Sequence, residues 1–436
     1  MTSNNATGLV RVIGRWSLAA LAINSVIGSG IFGLPSPAAR LLGTGSPLAV
    51  LLAGVAVAPV IACYAEVASH FTQTGGPYLW MRTAFGPLIG LETGWLLWLV
   101  RITAPAANAS LFVSYLAELW PPAKDPLPRV LVLTLLVGLL AGINYRGVRA
   151  GTQVSNIFTI AKLLPLIIVI VAGTIFVLTG HHATFNMKPP SGIGAWLQTI
   201  LLFIFAYGGF EGALVVMAEA RDPRRDAPFA LLATLVTCVI VYTLTQWVAV
   251  SVLPDPVHSD RPLADVAHLL LGRGGAALVA LGALVSMYGY LSANMLAVPR
   301  ITFAMAEEGD FPGIFAAVHP RFHTPYFSIL VFAVLVWAFA LVGSFSWNVT
   351  LSAVARLFYY AFGCAALPVL RRKRPNGAWF RLPGAMAFVS IAILVCIVLA
   401  TRIDLSGAVI VGMVVLAAAV NWLLIRKREK PAAAGV

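Results

Sequence analysis

Long apolar runs follow one another along almost the whole chain, each closed by a short cluster of Gly, Pro and charged residues. A helix needs about 20 apolar residues to cross the ~30 Å hydrocarbon core of a bilayer. Most runs meet that length, and the polar interruptions are too short to be domains. The pattern predicts twelve membrane-spanning helices, at about 16–40, 46–68, 88–118, 127–144, 152–179, 195–217, 228–253, 274–305, 325–343, 347–370, 382–402 and 404–425. They group into a polar N-terminal segment (1–15), a first block of five spans (16–180), a second block of five (195–370), two further spans (382–425) and a polar tail (426–436).

Composition sharpens this picture. Of 436 residues, 60% are hydrophobic and 10% charged, with a mean hydropathy of +0.90, whereas a soluble domain carries about a quarter charged residues. An all-α membrane protein is expected, with no stretch left for a soluble catalytic domain. The net charge of +13 suggests nucleic acid until its placement is considered. Most of the Lys and Arg fall in the N-terminal segment and in alternate loops: Arg11, Arg15, Arg82, Arg146, Arg149, Arg221, Arg224, Arg225, Arg300, Arg321, the run Arg371–Arg374, Arg381, and Arg426–Lys430. The other loops hold Arg40, Lys124, Arg129, Lys188, Arg261, Arg273 and Arg402. That asymmetry puts both termini in the cytoplasm, as an even number of spans requires. The charge is topology, and no nucleic-acid partner is expected.

The first fifteen residues are polar, so the first span is expected to act as the insertion signal without a cleaved leader. Cys63, Cys238, Cys364 and Cys396 all sit in apolar runs, as small packing residues do. The seven His show no metal-ligand spacing. No nucleophile elbow, phosphate loop or paired carboxylates appear. No enzyme, metal or cofactor is predicted, and the few intramembrane charges do not trace the continuous polar pore of a channel.

Three basic residues, Arg101, Lys162 and Arg356, lie more than five residues from either end of a predicted span, as does the acid Glu211. A charge at membrane depth is costly and usually faces a cavity or a partner; the alternative is a side chain snorkelling from near a helix end. Lys162 lies about ten residues into span five, roughly 15 Å deep at 1.5 Å per residue, which is half of the ~30 Å core. Snorkelling from there is hard. For Arg356 both readings stand.

Span one contains Asn24-Ser25-Val26-Ile27-Gly28-Ser29-Gly30-Ile31-Phe32, with Pro35 and Pro37 soon after; span six contains Phe205-Ala206-Tyr207-Gly208-Gly209-Phe210-Glu211-Gly212. Glycines in mid-span weaken a helix and free backbone groups, and irregular backbone survives at depth only where it lines a protein or water cavity. Each break opens a five-span block, and the two blocks enter the membrane from opposite sides. Paired interruptions in inverted halves point to a binding site near the midplane; close helix packing is the other use of a lone Gly-x-Gly. The chemistry suits a zwitterion. N–H groups after Gly30 and the Ser29 hydroxyl face a carboxylate, while carbonyls at Val26, Gly208 and Gly209 accept from an ammonium. Phe205 and Tyr207 flank the second break.

These residues carry a resemblance. Gly28-Ser29-Gly30-Ile31-Phe32 resembles the first-helix signature of the amino acid–polyamine–organocation (APC) transporters. Phe210-Glu211-Gly212 with Ala218-Glu219-Ala220-Arg221-Asp222-Pro223 resembles their sixth helix and the loop after it. Tyr64-Ala65-Glu66 with Gly75-Gly76-Pro77-Tyr78 is similar to the end of their second helix, and Pro299-Arg300 through Asp310-Phe311-Pro312 to the end of their eighth. The matches run in family order from residue 16 to about 330. The resemblance implies a LeuT-type 5+5 inverted repeat with discontinuous helices 1 and 6 plus two C-terminal helices, carrying amino acids across the inner membrane by alternating access. It implies that Ser29 and Gly30 meet the substrate carboxylate and that Val26, Gly208 and Gly209 offer carbonyls to the amino group. Phe205 falls at the position of the gating aromatic, often Trp. Glu211 matches the sixth-helix acid tied to proton coupling, and Lys162 the fifth-helix lysine that stands in place of a sodium ion. A titrating Lys162 suits proton symport and a fixed cation suits sodium-independent exchange, so protons as a partner and both coupling schemes stay open.

Arg101 departs from the small or neutral residues of several relatives at that point. A cation there repels arginine or a polyamine by ~1 kcal/mol or more, or recognises an acidic side chain, or neutralises Glu211. Tyr290 and Asn294, spaced i, i+4, share a face of span eight, with Asn294 near where some carriers of cations hold a stacking aromatic. Neutral or acidic amino acids are favoured, with a cationic amino acid or polyamine antiporter as the alternative. Monomer and homodimer remain equally open.

Overall fold

A computed structural model describes residues 14–71, 76–147, 154–181, 192–211, 214 and 222–429. The tails 1–13 and 430–436, and with them Arg11, lie outside the described residues, as do Gly75, Arg149, Lys188, Gly212 and the stretch 218–221.

Among the described residues there are helices and short turns, and no strand. Three elements occupy the first predicted span: α1 (Arg15–Val26), α2 (Ser29–Gly33) and α3 (Pro35–Leu42). Then come α4 (Ser46–Ser69), α5 (Gly76–Phe85), α6 (Pro87–Leu119), α7 (Pro126–Arg146), α8 (Val154–Leu178) and α9 (Ile193–Tyr207). The chain continues through α10 (Pro223–Val252), α11 (Pro262–Glu307), α12 (Tyr326–Val342), α13 (Phe345–Lys373), α14 (Ala385–Ala400) and α15 (Leu405–Glu429). Proline opens α3, α6, α7 and α11, where its missing N–H costs nothing. Ser344 starts α13 by accepting the Trp347 N–H on its hydroxyl at 3.1 Å.

Among the described residues, seven stretches are long and apolar enough to cross a membrane: Pro35–Ser69, Pro87–Leu119, Pro126–Arg146, Pro228–Val252, Pro262–Glu307, Phe345–Lys373 and Leu405–Leu424. Four shorter apolar helical stretches, Lys162–Leu178, Ile193–Tyr207, Tyr326–Val342 and Ala385–Ala400, accompany them. The chain is thus a multi-pass membrane protein. Large apolar side chains such as Leu135, Leu139, Ile175, Leu416 and Leu423 face outward, a pattern that lipid tolerates and water does not.

Two differences from the sequence pattern have physical causes. Helix α5 is not an apolar run: ten residues carrying Arg82 are too short and too polar to register as a span. Helix α11 runs through a kink at Gly272, where φ is +70°; the pattern starts the span at 274 and omits the segment before the kink, of which Leu263, Ala264, Val266 and Ala267 are buried.

One apolar core joins α1, α4, α6, α9 and α13 through residues such as Leu18, Val57, Leu99, Phe203 and Leu357. A second, with Ile102, Leu136, Leu291 and Phe332, holds α6, α7, α11 and α12 together. Glu66, fully buried at the end of α4, binds the Arg371 guanidinium through both oxygens at 2.7 and 2.8 Å and accepts the Leu382 N–H at 2.7 Å. That clamp ties α4 to α13 and to the segment leading into α14.

Candidate functional site

Helix α1 ends at Val26 because Ile27 (φ −71°, ψ 100°) and Gly28 (φ −127°, ψ −149°) leave the helical region. Helical backbone resumes at Ser29. Leu34 (φ −80°, ψ −19°) carries α2 into α3, its N–H bonded to Gly30 O at 3.0 Å, so Ser29–Leu42 behaves as one half-helix. The second break follows Tyr207: Gly208 is extended (φ −74°, ψ 161°), Gly209 has φ +112°, and helix returns at Phe210. A positive φ of this size is open only to glycine at low cost.

The two breaks touch each other. A methyl group on Gly209 would lie 2.3 Å from Ser25 O, and one on Gly30 would lie 2.8 Å from Ala206 Cβ. Both glycines are therefore contact surfaces as well as hinges. The Ser25 hydroxyl spans the junction, 3.0 Å from Ala22 O and 3.1 Å from Gly209 O. Tyr242 Oη, from α10, stands 3.2 Å from both Val26 O and Ala206 O, so one hydroxyl serves a carbonyl of each broken helix.

Charged groups meet the remaining freed backbone. Lys162 is 4% exposed, and its ammonium donates to Asn24 O at 3.1 Å and Ile27 O at 3.0 Å. These carbonyls are orphaned when α1 stops, and an ammonium supplies three donors. Glu211 is 3% exposed and takes the Gly209 N–H on Oε2 at 2.7 Å. Its Oε1 accepts from Tyr359 Oη at 2.6 Å and Tyr360 Oη at 2.7 Å, and lies 3.4 Å from Arg356 Nη1. A cation thus rests on the acceptor end of one break and an anion on the donor end of the other, as the backbone dipoles require.

Between the breaks lies a cavity of about 20 Å³, walled by Ser25, Val26, Gly28, Ser29, Gly30, Asn108, Phe205, Ala206, Gly208, Tyr290 and Arg356. That volume holds about one water molecule, less than an amino acid needs. Three polar atoms of its walls are buried without a partner: Ser29 Oγ, Asn108 Oδ1 and Arg356 Nε. Buried polar groups are normally paired, and three orphans around one void mark a place built for a polar guest.

Of the residues singled out in the sequence, Val26, Ser29, Gly30, Phe205 and Gly208 line this cavity. Gly209 stands directly behind it against Ser25, Glu211 reaches it through Arg356, and Lys162 supports the first break from outside. Arg101 and Asn294 are set to one side, with Arg101 Nη1 at 3.5 Å from Asn294 Oδ1. Asn294 Nδ2 donates to Tyr290 O at 2.9 Å, and Tyr290 is itself a wall.

A model of the amino acid permease family matches residues 13–425. The chain belongs to that family. The permease is 27% identical over 442 residues to the branched-chain amino acid permease of Bacillus subtilis (strain 168), covering 96% of this chain and 91% of the relative. It is 26% identical over 401 residues to the methylthioribose transporter of the same organism, covering 87% and 86%. An uncharacterized transporter of Mycobacterium tuberculosis (strain ATCC 25618 / H37Rv) matches at 28% over 437 residues, 97% of this chain and 94% of the relative. The permease is accordingly a membrane transporter rather than an enzyme.

Sequence reasoning left Arg356, Asn108 and Tyr242 out of the site. Arg356 carried a signal, a charge inside a span, but its cavity and snorkelling readings were not separable without the position of Glu211. Asn108 and Tyr242 sit in apolar runs where a single polar residue is unremarked. Only the packing of α6 and α10 against the breaks shows what they face.

Proposed function

We propose that the permease is a secondary active amino acid transporter of the inner membrane. In this reading twelve spans form a LeuT-type 5+5 inverted repeat with two added C-terminal helices, and both termini are cytoplasmic. The observation that carries it is the contact of two broken helices around a small cavity with unpartnered polar walls. The substrate carboxylate docks at Ser29 Oγ and the N–H groups beside Gly30. The substrate ammonium takes the Gly208 carbonyl and the second lone pairs of Val26 O and Gly209 O, whose first lone pairs are held by Tyr242 and Ser25.

Phe205 closes over the bound substrate. The bundle of the first, second, sixth and seventh spans then moves against the rest. Lys162 and Glu211, each seated on one break, change protonation or partners between the two access states; proton symport and sodium-independent exchange both use such a change. A neutral or acidic amino acid suits the basic surroundings better than a cationic amino acid or polyamine. Counterflow into proteoliposomes preloaded with one unlabelled amino acid detects either coupling mode. Ser29→Leu fills a void of about 20 Å³ and Lys162→Ala frees two buried carbonyls, so both should abolish counterflow in folded protein. Undiminished transport by these variants would refute the site.

A further inference from the structure

The Arg356 guanidinium is buried, 4% exposed, yet poorly satisfied. Its contacts are long: 3.4 Å from Nη1 to Glu211 Oε1 and 3.3 Å to Tyr360 Oη, against roughly 2.7–2.9 Å for a closed guanidinium–carboxylate bond. Glu211 has closer partners, since Tyr359, Tyr360 and the Gly209 N–H donate to the carboxylate at 2.6–2.7 Å. Arg356 Nε has no partner and faces the cavity in which Ser29 Oγ and Asn108 Oδ1 are also unpartnered. A methyl group on Gly208 would fall 1.3 Å from Nη1, so the glycine makes the room in which the guanidinium stands at the second break.

The local charge is one-sided. Lys162 and Arg356 stand at the breaks and Arg101 to one side, while among the described residues one carboxylate, Glu211, bonds the breaks. Lys162 is committed to two carbonyls. Arg101 Nε is unpartnered as well, but Arg101 lies against Asn294 and is not among the cavity walls. Of the three cations, Arg356 is the one in the cavity wall, and its Nε with a neighbouring Nη matches the two oxygens of a carboxylate. A zwitterion leaves the excess positive charge untouched. A branched aliphatic side chain would cover the fork without bonding it. A substrate with a second carboxylate both lowers the buried charge and supplies the missing acceptors.

We propose that Arg356 receives the side-chain carboxylate of the substrate, so that the cargo is an acidic amino acid. This rests on the amino acid transporter reading above and narrows its substrate class. Counterflow of L-glutamate, L-aspartate, L-glutamine and L-leucine by the purified full-length protein tests it. Glutamate and glutamine have nearly the same size and differ by one charge, so their ratio in the wild type reads Arg356 without any mutation. Glutamate should be favoured in kcat/KM by about tenfold to a hundredfold, the scale of a hydrogen bond to a charged group. Arg356→Gln should lower the glutamate-to-glutamine ratio by a similar factor, and Arg356→Lys should recover part of it. The ratio is independent of how much protein is active, so a partly unstable variant still reports. A wild type that favours glutamine or leucine, or an Arg356→Gln ratio equal to the wild-type ratio, overturns the assignment and leaves the transporter reading intact. Counterflow of none of the twenty amino acids overturns both.

Discussion

Replacing Gly209 by alanine adds one methyl group at the junction of the broken helices. Three costs can be worked out. Alanine at φ +112° gives up about 1–2 kcal/mol relative to glycine. The new Cβ would lie 2.3 Å from Ser25 O, and overpacking of that kind costs about 1–3 kcal/mol, because both partners are backbone and neither can rotate away. Separating the breaks also breaks the Ser25 Oγ to Gly209 O bond, about 1 kcal/mol. Together these give about 3–6 kcal/mol, enough to lower the melting temperature in detergent and abolish counterflow. The matched control is Gly142→Ala near the end of α7, where a Cβ meets nothing within 4 Å. There the change removes a helical glycine and should be neutral or stabilising by about 0.5–1 kcal/mol. Gly209→Ala behaving like Gly142→Ala in both assays would refute the contact between the breaks.

Two further outcomes concern the end of the molecule where Arg371 lies. Glu66→Ala strands Arg371 and the Leu382 N–H and should destabilise by about 1.5–3 kcal/mol, read as a lower melting temperature with substrate preference unchanged. His70 follows α4 with both ring nitrogens buried and unpartnered; burial lowers its pKa, opposed by Glu66 and aided by Arg374, Arg381 and Arg371. The folded state therefore binds this proton less readily than the unfolded chain, so the stability it confers is complete above about pH 6.5 and falls as the solution is acidified. His70→Gln should flatten the fall in melting temperature between about pH 7.5 and about pH 5; an unchanged slope would show that His70 does not sense pH.

The helices and both breaks were legible because each leaves a mark in one dimension. Apolar length marks a span, Gly28, Gly208 and Gly209 mark places where the backbone leaves the helix, and Gly30 marks the close contact between the breaks. Charges at depth marked Lys162 and Glu211, since a buried ion needs a reason to be there. What the sequence did not convey was pairing across the fold. Arg101 and Arg356 look alike as arginines in apolar runs, yet one lies beside Asn294 and the other stands in the cavity wall. Tyr242 is one of 11 tyrosines, and only the approach of α10 to both breaks gives its hydroxyl two carbonyls.

The arrangement of the charges also bears on how such a site can move. The first break exposes carbonyls, which Lys162 covers; the second exposes the Gly209 N–H, which Glu211 covers. Neither half-helix can shift far without leaving its cap behind, and an uncapped backbone group at this depth is expensive. A carrier built this way must exchange one set of partners for another of similar worth, and substrate groups are available when the site is filled. In the proposed pose the carboxylate meets the N–H groups beside Gly30 and the ammonium the carbonyls of Val26, Gly208 and Gly209, next to the groups that Lys162 and Glu211 cover. Half-helices held by their caps, and released when a ligand brings compensating bonds, would make bound substrate a requirement for movement. That logic predicts counterflow faster than net efflux from loaded vesicles, and equal rates for the two would count against it.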